Sequence, residues 1–547
     1  VKALVVLNLG RYTRSVANHT YGGKEMNKTF KYISMLLVAV LMTAMVAACS
    51  SNNNNGNTTT DQTGETTEAG NGNAAESTES ANETIKEPYE LTLTFPIFGA
   101  LPADMKLVEA EINKITQAKL NTTVTMLPIS IGNFTQQMNL MTSSGEKLDL
   151  AFSFGIGGGY ANDALNGKLL PIDDLLTQYG QGTVDAIGAN YLESARVGGQ
   201  IYGVPTLHSF AQQPAIFMRK DMVEKYNIDV DAIHSLEDLE PIFKTIKDNE
   251  PGMAPLASGL ATPMDSIRSY DRLGNGIGVL PGFDNDLKLV NWYETEEYAE
   301  QLNLMHNWFK SGYINKDAAT SQTTTSDILK ADKAFSYITM NKPEIRAVEE
   351  RMIGKELVVA NFDFVGPYAT TTDVVVGLWG IAQQSENPER VMMLLDLMYT
   401  DKDLVNLFIW GIEGKHYVKV SDNVIKYPEG VDSSNVGYTM NSLTTSNPFI
   451  AYTLEGEDPE LAQSINEFNE SANKSKALGF SFNPSNVQNE LTAITNVTNR
   501  YKKILETGAV NPESKLQEFI TNLKAAGIDK VIEEKQKQLD DWAASNK

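Results

Sequence analysis

A chain of 547 residues, 42% hydrophobic and 21% charged, can hold two or more domains or one large bilobed unit with a sizeable core. Its formal net charge of −24 argues against a nucleic-acid partner, since phosphate binding needs clustered Lys and Arg, and against adsorption to an anionic bilayer through a basic face. One cysteine can form no internal disulfide, and no CxxC or Cys/His cluster is present to hold zinc.

From Met26 the chain reads "MNKTFKYISMLLVAVLMTAMVAAC". Lys28 and Lys31 give a positive start, Ile33 to Met45 an apolar stretch, and Val46-Ala47-Ala48 small residues before Cys49. That is the layout of a secretory signal peptide, too short for a comfortable membrane span of ~20 residues. The "VAAC" ending resembles a bacterial lipobox, although Val46 stands where Leu is usual. The expectation is therefore removal of residues 26–48, a covalent lipid on Cys49 in place of any other cofactor, and a chain anchored to the cell membrane on its extracellular side. Residues 1–25 read as an upstream segment from a misassigned start codon, with Met26 as the initiator. The tract from Ser50 to Pro88 is Ser, Asn, Thr, Gly and Glu with almost no large apolar side chains. It cannot bury enough surface to offset its ordering entropy, so residues 49–88 are expected to form a flexible tether.

After Pro88 the composition turns globular. "YELTLTFPIFG" (Tyr89 to Gly99) reads as a strand leading into a loop, and the following helix places Met105, Val108, Ile112 and Ile115 on one face. "NTTVTMLPI" and "LDLAFSFG" are two more strands. Strands alternating with helices predict an α/β sheet that is mainly parallel. "AIFMRKDMVEKYNID" continues the pattern, Ser235 reads as an N-cap with Asp238 three later, and Asn387-Pro388 opens another helix. Pro512 to Trp542 should be helical with a break at Gly527, its Leu516, Phe519, Ile520 and Leu523 face packing on its own domain.

Several of these segments together resemble the extracellular solute-binding lipoproteins of ABC importers, of the sugar type. They are "SGEKLDLAFSFGIGGGYANDALNGKLLPIDDLLTQYG", "VGGQIYGVP", "MRKDMVEKYNI" and "LWGIAQQSENPERVMMLLDLMYTD". "WGIEGKHYV", "LGFSFNPSNVQNE" and "AGIDKVIEEKQKQLDDW" are similar to the LipO-like subgroup with a distinctive C-terminal extension, while "NPFIAY" stands where an aromatic-rich glycine segment is expected. The resemblance implies a type II, two-lobed periplasmic-binding-protein-like fold, joined by two or three crossovers with the ligand cleft between the lobes. The lobes are expected at 89–208 plus 374–430 and at 212–370 plus 431–547. It further implies a monomer that captures a solute, most simply a carbohydrate or oligosaccharide, and hands it to the permease subunits of an importer. A sensor or adhesion lipoprotein of the same fold and a surface polysaccharide hydrolase are the alternatives.

Sugars offer hydroxyls to polar side chains and C–H faces to aromatic rings, so the candidate contacts mix both. Phe98, Ser153 and Phe154 end strands, where ligands dock in open α/β sheets. Tyr160 follows the run from Gly155 to Gly159, whose glycines permit close backbone approach; that run lacks the spacing of a phosphate cradle. His208 lies just past the first crossover, Tyr337 and Asn341 end a strand in the second lobe, and Trp379 sits at the return crossover. Trp410, Glu413 and His416 share a Gly-rich turn, where Trp410 and His416 read slightly better as structural. No GxSxG, HExxH or Walker A segment occurs, so no catalytic residue is assigned and the chain is not expected to be an enzyme. "DNDLKLVNWYE" opens like a calcium loop but lacks the third oxygen ligand and the central glycine, so no metal site is expected.

Overall fold

The structure, a computed structural model, describes residues 85–155 and 158–545. The leader, Cys49 and the tether up to residue 84 lie outside the described residues. Two sheets are built from β1 (Tyr89–Ile97), β2 (Thr122–Ser130), β3 (Leu150–Phe154), β4 (Val204–Pro205), β5 (Gln213–Arg219), β6 (Ala254–Leu256), β7 (Ala334–Asn341), β8 (Leu357–Asn361) and β9 (Gly377–Ile381). The first has the order β2-β1-β3-β9-β4 and the second β8-β5-β7-β6.

Both sheets are mixed rather than mainly parallel. β1 runs parallel to β2 and β3, but β9 is antiparallel to β3 and β4. In the second sheet β7 and β8 are antiparallel to β5, while β6 is parallel to β7. The reason lies in the connections. β5 and β9 each arrive from the other sheet, entering at the edge where neighbouring strands leave, and so must run against them. Every other strand named here therefore ends at the edge that faces the crossings.

Each sheet has its own core. Phe95, Phe152, Trp379 and Leu395 belong to the first, and Met218, Phe243, Trp308 and Phe335 to the second. The helix Met105–Leu120 buries Met105, Val108 and Ile112 as its pattern requires, and adds Thr116 and Leu120. It stops at Asn121, whose φ of 49° is left-handed, a conformation asparagine tolerates. Asn387 caps the helix Pro388–Thr400 by accepting from the Arg390 N–H. Gly527, at φ +93°, separates the helices Pro512–Ala525 and Ile528–Ser545, and Phe519 and Leu523 are fully buried in the second core.

Three local expectations change. Ser235 is not an N-cap: its hydroxyl donates to Asp238, whose carboxylate also takes the His234 and Ser235 N–H groups, and the helix starts only at Leu239. Residues 85–88 are not free tether. Asn121 Nδ2 donates to the Ile85 and Lys86 carbonyls at 3.2 Å, and Arg390 reaches the Glu87 carbonyl at 3.1 Å. Residues 431–547 do not all pack with the second lobe, since Tyr438, Met440 and Ala472 lie in the first core. Leu207 donates to the Ser446 carbonyl and Ser446 to that of Met398, which ties this stretch to the first sheet.

Candidate functional site

Three chain segments cross between the lobes. The first runs from β4 to β5, the second from β8 to β9, and the third leaves the first core at Ala472 and reaches the second at Val487. They are laced together. Gln212 exchanges both backbone hydrogen bonds with Tyr368, and its side chain donates to Asp373 at 2.8 Å. Asn469 accepts from Phe210 N and Ala211 N and donates to the His208 carbonyl. Strand ends from both lobes surround this bundle, so the groove they bound is the candidate ligand site.

On the first lobe the groove wall is aromatic. Phe98, directly after β1, is 42% exposed, and Ile131 after β2 is 40% exposed. The Phe98 ring meets the half-buried Phe154 edge-on, with centroids 6.3 Å apart at 89°. Phe154 is in turn packed by Phe134 at 5.7 Å and Phe152 at 5.1 Å. Behind them Trp379 stands perpendicular to Phe152 at 5.4 Å and contacts Phe95. Edge-to-face packing of this kind fixes ring orientation, so the exposed face of Phe98 is held by the core.

On the second lobe, Asn341 and Asn361 end the two strands flanking β5, and Asn341 Nδ2 donates to Asn361 Oδ1 at 2.8 Å. Phe364 follows, 42% exposed and stacked on the buried Phe362. Phe283 stacks on Tyr368 at 4.5 Å, beside the second crossing. The wall thus combines rings with amide groups free to offer further donors and acceptors.

Of the residues singled out from the sequence, Phe98, Phe154 and Asn341 stand at this groove. The others are occupied elsewhere. Trp379 is fully buried because β9 lies between β3 and β4, its register opposite Phe152 and Val204. Ser153 points away from Phe154, as alternation along a strand demands, and donates to Asp163. Tyr160 is buried, its hydroxyl donating to the Ala195 carbonyl and accepting from Tyr202 N. Tyr337 is buried against Phe217. The glycines around Phe154 serve the fold: a Cβ on Gly155 would lie 1.7 Å from the Val375 carbonyl oxygen.

His208 places Nδ1 2.7 Å from the Thr206 carbonyl and Nε2 3.0 Å from that of Asp373, two acceptors that only a protonated ring could serve together. It lies between the first two crossings, and burial holds its pKa below the usual histidine value, so the neutral ring donates to one of the two carbonyls at a time. Trp410 donates to the Tyr452 carbonyl, and Glu413 is exposed and paired with Lys419 at 3.0 Å; no ring or hydrogen-bond contact among the described residues joins either to Phe98 or Phe154. His416 is structural. Its Nδ1 accepts from Ile412 N, which leaves the proton on Nε2 to donate to Asp104 and holds that carboxyl below its ordinary range.

Sequence reading missed Phe364, Asn361 and Phe283. The signal for the first two was present in "NFDFVGP", where alternate rings precede a Gly-Pro exit from a strand. A separate cavity of about 330 Å³ lies beside Tyr191, Phe210 and Asn469. It is lined by Asp185, Glu470 and Lys474 rather than by exposed rings. Among the described residues no three His, Cys, Asp or Glu side chains gather as a metal site, and no helix is long and apolar enough to cross a membrane.

Comparison with known proteins gives the site a context. Residues 99–404 match the model for bacterial extracellular solute-binding proteins, and residues 476–544 match a domain of unknown function, DUF3502. A carbohydrate ABC transporter substrate-binding protein of Streptococcus pneumoniae is 29% identical over 485 residues, 87% of this chain and 94% of the relative. The crystal structure of the N-glycan transport solute-binding protein NgtS from S. pneumoniae superposes with a TM-score of 0.72 at 28% identity, over 84% of this chain and all of that one. Its complex with Man5GlcNAc, at 27% identity and the same coverage, gives 0.58.

Proposed function

The chain belongs to the bacterial extracellular solute-binding protein family, and from that premise we propose that it captures an oligosaccharide between its lobes and delivers it to the permease of an ABC importer. The observation that carries this reading is the exposed Phe98 ring, braced edge-on by Phe154 and facing a groove whose other lobe offers Asn341, Asn361 and Phe364. A ring for the C–H face of a sugar and amides for its hydroxyls are what carbohydrate recognition requires. Three laced crossings provide the hinge by which such a groove closes. The chain superposes less well on the Man5GlcNAc complex of NgtS, at a TM-score of 0.58, than on the first NgtS structure, at 0.72, which supports lobes that can take more than one arrangement in this family. Capture and release involve no bond chemistry, so this reading makes the protein a receptor rather than an enzyme.

A thermal-shift screen of glycans and peptides tests the reading, with Man5GlcNAc as the first probe because a pneumococcal relative is known in complex with it. At a hundred times its Kd a ligand adds ~2.7 kcal/mol to stability. Stabilisation by glycans and not by peptides is expected, and the reverse overturns the oligosaccharide reading. We further propose that Cys49 carries the lipid that holds the receptor at the outer face of the membrane. Metabolic labelling with a fatty-acid analogue should be lost in Cys49→Ala; retained label would remove Cys49 from that role.

A further inference from the structure

We propose that the C-terminal domain of unknown function, residues 476–544, is the positioning element for the second-lobe wall of the groove. It acts by clamping the segment 258–291 through side chains that touch no ligand themselves. The proposal rests on the groove reading above and assigns a role to a domain that the groove does not otherwise use.

The segment leaves β6 at the crossing edge, carries Phe283 to its stack on Tyr368, and carries Tyr270 packed on Trp292 at 4.1 Å. Its own backbone pairing rests mainly on the short strands Tyr270–Asp271 and Leu280–Pro281 and the two hydrogen bonds exchanged by Val279 and Val290; apart from one short helical turn the rest is loop, whose shape side chains from outside help to set. The domain grips it at three places. Near its start, Lys502 pairs with Asp265 at 2.5 Å and with the buried Glu506 at 2.8 Å, while Thr262 donates to Glu506 at 2.8 Å. In its middle, the fully buried Lys535 enters the 273–278 turn and donates to Asn275 Oδ1 at 2.7 Å and to the Leu273 and Gly278 carbonyls at 3.3 Å. Near its end, Gln536 accepts from Leu289 N and donates to the Leu287 carbonyl, and Lys476 donates to Asp284 and the Asn285 carbonyl.

Lys535 is the decisive clamp. An ammonium carries three donors and finds three oxygens; the neutral amine has only two N–H groups for them. Burial pulls its pKa down to about 7, Asp271 opposing that shift and Arg272 adding to it, with the Phe482 ring 5.0 Å from the nitrogen. The clamp is thus complete below neutrality and loses a donor as pH rises through about 7.

The test uses the full chain and Lys535→Met, which keeps the stem and removes the donors. Hydrogen exchange on the ligand-free protein should rise in 258–291 and stay unchanged in β1 and β5. Titration with Man5GlcNAc should show at least tenfold weaker binding at pH 6. Wild-type affinity should weaken between pH 6 and 8, whereas the variant should be flat. Unchanged exchange in 258–291, a rise spread over both sheets, or wild-type affinity in the variant would each overturn the proposal. Failure of the wild-type chain to bind the probe would rule out Man5GlcNAc as its ligand instead, and exchange alone would then decide whether the clamp exists.

Discussion

Phe98 and Trp379 are both aromatic and both belong to the same stack of rings, yet they should respond to truncation in opposite ways. Phe98 presents 42% of its surface, so Phe98→Ala is expected to leave the unfolding midpoint nearly unchanged. It should cost about 1 kcal/mol of ligand affinity, roughly a fivefold rise in Kd by calorimetry. Trp379 is fully buried among Phe95, Phe152 and Phe408, so Trp379→Ala opens a cavity and should cost about 3–5 kcal/mol of stability in denaturant titration. A loss of affinity in Trp379→Ala without loss of stability would place that ring in the groove after all. The contrast shows what the one-dimensional pattern conveys. It marks an aromatic at a strand end, but whether the ring meets solvent depends on which strands flank it, and that is a matter of sheet order.

Element existence was legible because it rests on local chemistry: alternation in β1, a 3.6-residue face on Met105–Leu120, Asn387-Pro388 at a helix start and Gly527 at a break. Strand direction was not, because β5 and β9 take theirs from the crossings rather than from their own residues. The buried Arg390 is another such long-range feature. Its guanidinium donates to the Leu120 carbonyl at 2.7 Å and to Thr122 Oγ1 at 3.1 Å, so a cation covers carbonyls at the C-terminal end of the Met105–Leu120 helix. No spacing in the sequence links positions 120 and 390. Arg390→Met should remove these bonds, leaving the Leu120 carbonyl to the Thr122 hydroxyl, and cost about 1–3 kcal/mol, visible as a lower denaturation midpoint; an unchanged midpoint would mean that water replaces the guanidinium.

At the scale of the whole molecule, the two cores are joined by three crossings whose mutual hydrogen bonds involve His208, Gln212, Asp373 and Asn469. On the proposed function, closure on a ligand is a rigid-body movement of intact lobes. Small-angle scattering should show a smaller radius of gyration on saturation with a bound glycan, with no change in circular dichroism. A ligand that binds without compaction would argue for a preformed site. The N-terminal attachment adds a mechanical consequence. Asn121 and Arg390 fasten the backbone of residues 85–87 to the first lobe. A pull applied to the chain before residue 85 therefore reaches that lobe first. If Cys49 carries the proposed anchor, tension on the chain loads the first lobe before the groove, so capture can proceed while the protein is held at a surface.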